Sequence, residues 1–235
     1  MLQRIYISAI LIAVCSLSAD AQFFSKPKNN PKYDTRKIHF GFSVGLNYVD
    51  FKVQPIEDLA ALPGYYSIRS ETTPGYTFAI ISNLRLGHHV DFRFLPAYST
   101  TIRKLYFDVI EPLSEERQTI EREIESSYIE FPFRLKWKSE RVNNYRLYTV
   151  GGVKYNLDLA SNEDVIDDRI FKIKSNDLMY EVGFGFDVYF DYFKFSPQII
   201  ASFGVNNLLV NDDTFYIQGI EDIRTRAILI NFTFE

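Results

Sequence analysis

From Lys37 to Phe234 the chain alternates apolar residues with small or polar ones, in segments of about ten residues. The first segment is representative. Ile38, Phe40, Phe42, Val44, Leu46 and Tyr48 share one face, and His39, Gly41, Ser43, Gly45 and Asn47 share the other. A period of two puts successive side chains on opposite faces, so these segments are strands. Eight follow one another, near 37–53, 75–87, 90–110, 118–138, 145–159, 178–188, 194–206 and 222–234. Short turns at 87–89, 139–144 and 191–193 alternate with longer connections, the first of them carrying Pro55, Pro63-Gly64 and Pro74-Gly75. Strands of this length in this rhythm predict an all-β fold, an eight-stranded antiparallel up-and-down transmembrane β-barrel. Both termini then lie at the short-turn end, which in outer-membrane barrels is the periplasmic one.

Three features strain the pattern. The phase slips between Tyr48 and Phe51, which predicts a β-bulge. Pro96, Pro132 and Pro197 fall inside strands, although a closed barrel has no free edge for them, so bulges or unpaired ladder positions are expected there. The charged stretch SEERQTIEREIE before strand four could form a short helix. Leu105, Phe107, Ile120 and Ile124 keep period two, however, and favour strands three and four running on past the membrane as a hairpin.

Alternation does not say which face is inside. A soluble lipocalin-like barrel would turn its apolar face inward. Here the polar face is rich in Gly41, Ser43, Gly45, Ala97, Ser99, Gly152, Gly183 and Gly185, small residues suited to a crowded lumen and poor dressing for a solvated wall. Tyr48, Tyr76, Trp137, Tyr145, Phe193 and Phe234 lie near strand ends, where aromatic girdles meet the membrane interface. The apolar face is therefore assigned to outer-membrane lipid.

The N-terminus reads as a secretory signal over residues 1–21: Arg4, an apolar run from Ile5 to Val14, and Ala19-Asp20-Ala21 before the cut. A lipoprotein anchor at Cys15 is disfavoured by the bulky Val14 before it. Residues 22–36 form a polar periplasmic lead-in expected to be loosely ordered, and 37–235 the barrel. Cys15 is the sole cysteine, so the mature chain has no disulfide or thiolate chemistry. The net charge of −4 hides an uneven distribution, because segments 54–74, 104–126, 160–177 and 206–223 together carry −12. Acidic connections disfavour nucleic acid as a partner, since phosphate backbones need Lys and Arg.

Candidate chemistry is sparse. His39 opens a strand near the rim. His88 and His89 are neighbours in a tight turn, where their side chains are expected to diverge rather than pinch one metal. No Ser/His/Asp constellation stands on adjacent strands, and neither 162–168 nor 211–213 has the spacing of a calcium loop. No catalytic, cofactor or metal residue is assigned. What remains is a set of inward charges, Arg85, Arg93, Arg134 and Lys136 with Asp91, Glu130, Glu181 and Asp187. They are expected to form a structural salt-bridge network, since buried charges must be paired. A passage for small solutes through this lumen is the alternative, disfavoured because eight strands enclose little more than their own side chains.

The stretches HFGFSVGLN (39–47), SNLRLGHHVDFRFLPAYS (82–99), YIEFPFRLKWKSERVNNYRLYTVGG (128–152) and FKFSPQIIASFGVNNLL (193–209) resemble the PorT/SprT family of outer-membrane proteins. S-x-R-x-N-N-Y-R, F-K-F-S-P and N-N-L-L are its more specific elements. The resemblance implies a non-enzymatic accessory role in the type IX secretion system, with gliding in some bacteria and other type IX components as partners. It brings no cofactor and no catalytic residue. An outer-membrane lipid enzyme is a third class, which would need a nucleophile and base within hydrogen-bond reach.

Overall fold

The computed structural model describes residues 28–57, 64–110, 116–161, 171–210, 217 and 219–235; the signal segment lies outside them. Among the described residues ten strands are formed: β1 (Ile38–Pro55), β2 (Tyr65–Glu71), β3 (Thr73–Arg85), β4 (Val90–Phe94), β5 (Ala97–Ile110), β6 (Arg117–Lys138), β7 (Tyr145–Asp158), β8 (Asn176–Tyr189), β9 (Lys194–Gly204) and β10 (Ile220–Phe234). Every pairing is antiparallel, and β1 closes the ring by pairing with both β10 and β3.

The ring has eight staves, because β2 runs on into β3 as one stave and β4 and β5 are one strand interrupted at Leu95-Pro96. Phe94 faces Phe133 and Ala97 faces Glu130 in a single register, so the interruption is a gap in the ladder and no residue is inserted. Pro197 behaves similarly. The β8–β9 ladder lapses opposite Ser196 and Pro197 and resumes unshifted at Val188–Phe195. Pro132 keeps its place opposite Lys154. Of the two outcomes expected at the prolines, unpaired positions occur and bulges do not.

The slip near Tyr48 is no bulge either. The β1–β10 register runs unshifted from Phe42–Phe234 to Gln54–Asp222. What changes is the surroundings. Below this level the outward residues are apolar: Leu46 and Tyr48 on β1, Ile228 and Ile230 on β10, Tyr98 on β5. Above it they are Asp50 and Lys52, Arg226 and Arg224, Lys104 and Asp108. The inward positions change in the opposite sense, to Phe51, Leu105, Phe107, Val109 and Ile223, which pack with Phe171, Ile173, Leu208 and Ile220 into a buried core. The barrel thus turns inside out where it leaves lipid for water.

Below that level large apolar side chains face outward. Phe40, Tyr76 and Trp137 are each 69% exposed. Bare in water, such a side chain forgoes about 1.5–3 kcal/mol, and lipid removes that penalty. Neighbouring staves stack aromatics on this outer wall, as in Phe42 with Phe234 at 5.1 Å and Phe94 with Phe133 at 4.9 Å.

Two elements were not expected. β2 continues β3 upward past Thr72 and pairs with β5, Glu71 opposite Lys104 and Ile68 opposite Phe107. Second, residues 29–36 are not loose. They fold around a short 3-10 turn (Tyr33–Thr35) against the short-turn end. The stretch read as a hairpin is one, paired from Ala97–Glu130 to Ile110–Arg117, and no helix forms in its described part.

Candidate functional site

Inward positions of a narrow ring face one another across a few ångströms, so the polar row of each strand must satisfy its charges within the lumen. Arg134 on β6 donates through Nε to Glu181 Oε2 at 2.5 Å and through Nη2 to Oε1 at 3.1 Å. Glu181 also accepts from Ser202 at 3.0 Å and lies 3.7 Å from Lys154 Nζ, which in turn reaches Glu130 at 3.3 Å. Ser99 donates to the other Glu130 oxygen at 2.6 Å.

A second layer lies toward the short turns. Lys136 Nζ donates to both Asp187 oxygens at 2.7 and 2.9 Å and sits 3.6 Å from the Tyr148 ring centroid. Arg93 pairs with Glu235, which also binds Lys194 at 3.0 Å. Lys138 pairs with Asp91 at 2.5 Å. Of the eight charges named from sequence, seven point into the lumen and are buried there. Arg85 does not join them; it stands at the rim and donates to the Gly87 carbonyl at 3.1 Å. It is inward by parity but is the last residue of β3, where the wall has ended.

Sequence reasoning missed Lys138, Lys154, Lys194 and Glu235 as members of this network. Lys138 shares inward parity with Arg134 and Lys136, and Lys154 with Gly152, so parity carried the signal for both. Glu235 exchanges backbone hydrogen bonds with Lys194 in the register of β10 and β9 and shares inward parity with Asn231 and Thr233, so the same signal extends one residue past β10.

The ion pairs depend on what stands between them. Arg134, Gly152 and Glu181 lie in one row across β6, β7 and β8. The Arg134 side chain passes over Gly152 to reach its partner two strands away. A Cβ on Gly152 would stand 2.1 Å from the Phe133 carbonyl oxygen. Tyr148 likewise crosses Gly185 to donate to Gln198 at 3.1 Å.

At the short-turn end the lead-in closes the lumen. The buried Tyr33 stacks on His39 at 4.0 Å and donates its hydroxyl to Glu235 at 2.7 Å. Asp34 accepts from Arg146 at 3.0 Å and Arg141 at 3.2 Å. Burial alone would raise the Asp34 carboxyl, but the two guanidiniums outweigh it and hold it below the usual range. Inside the wall, the cavity bounded by Asn47, Thr77, Ser99, Glu130 and Lys154 is about 20 Å³, room for a single water. At the opposite end a cleft of about 540 Å³ runs beside the hairpin, lined by Glu121, Glu123, Glu125, Asp158 and Phe171.

His88 and His89 do not diverge. Their ring centroids are 4.8 Å apart, and His88 Nδ1 and His89 Nε2 each lie 3.4 Å from Glu140 Oε1. Their proximity comes from the neighbouring turn, which supplies Glu140, a relation that local sequence does not reveal.

A closed ring, an apolar outer wall and a charged lumen describe an integral membrane barrel. Residues 21–210 match the family described as Outer membrane protein beta-barrel domain. The chain belongs to that family. This family member is an integral outer-membrane β-barrel whose outer wall contacts lipid. Among solved structures, Neisserial surface protein A (NspA) superposes with a TM-score of 0.45 over 84% of this chain and 98% of that one, at 7% identity. No curated protein matches the chain significantly.

Proposed function

We propose that this barrel is a non-enzymatic accessory of type IX protein secretion, acting in assembly or support of the translocon and, in gliding bacteria, in motility. Its termini and short turns face the periplasm and its long connections the outside, as in other outer-membrane barrels. The observation that carries the reading is the filled lumen. Paired charges occupy the barrel, the internal cavity holds about one water, and Tyr33 and Asp34 close the short-turn end. A barrel with no passage acts through its rims and its outer wall, which suits an accessory and weighs against a solute channel.

Similarity to the PorT/SprT family supports the process, through S-x-R-x-N-N-Y-R at 139–146 in particular. Arg141 and Arg146 of that motif hold Asp34, and Asn144 binds Asn29 at 2.8 Å, so the motif fastens the lead-in. Other type IX components would be met at the outside by the acidic cleft and the β5–β6 hairpin, through charge complementarity or strand pairing. A deletion strain tests the proposal. Loss of type IX cargo from the medium, restored by the wild-type gene, is the expected result. Intact secretion with altered solute uptake would overturn it.

A further inference from the structure

We propose that His88, His89 and Glu140 form a binding site for one divalent transition-metal ion, Zn²⁺ or a close relative, on the short-turn rim. The three come from two turns that β4–β6 pairing sets side by side: 87–89 between β3 and β4, and 139–144 between β6 and β7. One ligand atom from each lies within 4.8 Å of the others.

The hydrogen bonding fixes which atoms are available. His89 Nδ1 is 3.1 Å from the backbone carbonyl of Lys138. A carbonyl can only accept, so Nδ1 carries the hydrogen and Nε2 offers its lone pair. That lone pair faces Glu140 Oε1 at 3.4 Å, and His88 Nδ1 faces the same oxygen at 3.4 Å. Two imidazole nitrogens thus stand around one carboxylate oxygen, an arrangement that a shared cation would hold together. Ligands 2.0–2.2 Å from a zinc ion stand roughly 3.3–3.6 Å apart in a tetrahedron, so the two 3.4 Å separations need little adjustment, and rotation of the exposed imidazoles brings their nitrogens, within 4.8 Å of each other, to the same spacing.

Two imidazoles and one carboxylate favour zinc, copper or nickel over calcium or magnesium, which prefer all-oxygen sets. The carbonyl behind His89 is the supporting hydrogen bond that metal-bound histidines commonly make. With three protein ligands a fourth position stays open, and the exposure of all three side chains keeps it accessible from solvent. The ion would staple two turns of the rim.

The test uses the full mature barrel, folded in detergent and carrying no histidine tag. Calorimetric titration with Zn²⁺ at neutral pH should show one equivalent bound per chain, and Co²⁺ should give a ligand-field spectrum that Zn²⁺ abolishes. Glu140→Gln and the double variant His88→Ala/His89→Ala should each weaken binding by more than the ~10-fold that loss of a supporting hydrogen bond costs metal sites. Both variants should stay heat-modifiable on gels, because all three side chains are exposed. No saturable Zn²⁺ binding, or binding unchanged in both variants, overturns the proposal.

Discussion

Glu181 accepts from Arg134 and Ser202 and lies beside Lys154, all with side chains shut off from solvent. Removing one partner of such a cluster leaves the other charge buried and unpaired, which costs about 3–5 kcal/mol. Glu181→Ala should therefore lower the urea stability of the refolded barrel by about that much, whereas Arg134→Met with Glu181→Leu should recover most of it. Asp34 gives a pH dependence of definite sign. Its docked carboxyl lies below the unfolded value of about 3.9. The lead-in ion pairs thus contribute fully above about pH 5 and fade as pH falls through the docked value. The protection of residues 29–36 against amide exchange, taken relative to the intrinsic rate at each pH, should fall below that range, and Asp34→Asn should show the same loss of protection at neutral pH. Protection indifferent to both changes would remove Asp34 from the plug. At this scale inward parity made seven lumen charges legible, since a strand's period is rigid. Tyr33 and Asp34 lie outside any strand and reach the lumen end only through tertiary folding.

Two glycines show how the elements serve the lumen. Gly185 lies beneath the Tyr148 side chain, and Gly152 lets the β6 backbone at Phe133–Arg134 come close in the row that joins Arg134 to Glu181. Gly152→Val should destabilise by the ~1–3 kcal/mol typical of overpacking or more, measured by the same unfolding, and should separate Arg134 from Glu181. A wild-type midpoint would mean that the row is looser than described. The β5–β6 hairpin should behave differently. Trimming Val109–Thr119 to a two-residue turn leaves the ring ladder below it intact, so the barrel should remain folded and heat-modifiable while secretion falls. Normal secretion by the trimmed protein would deny the hairpin a partner. The ring strands were readable because each keeps one apolar face over its membrane span. β2 was not, because YYSIRSE stands above the membrane without such a face, and Pro74-Gly75 resembles a turn although Pro74 pairs with Tyr48 inside a ladder. The phase slip at Tyr48–Phe51 was a true signal misread as a bulge, since pattern alone does not distinguish an inserted residue from a change of solvent.

For the whole molecule that change of solvent marks one membrane surface. From Ile38 to Tyr48 the strand rises about 34 Å at 3.4 Å per residue, which at a tilt near 40° gives about 26 Å of height, close to the ~25 Å apolar band of outer-membrane barrels. Above this band the inverted barrel encloses the core of Phe51, Leu105, Phe107 and Ile223. Within it, charge pairs fill the lumen, and below it the lead-in closes the end. The central claim is that such a barrel passes nothing and works through its outer surfaces. Single-channel recording of the purified, folded protein in planar bilayers tests this most directly. The expected record is silent at neutral pH. Stepwise currents that change when Arg134 and Glu181 are replaced would show an open lumen and contradict the account.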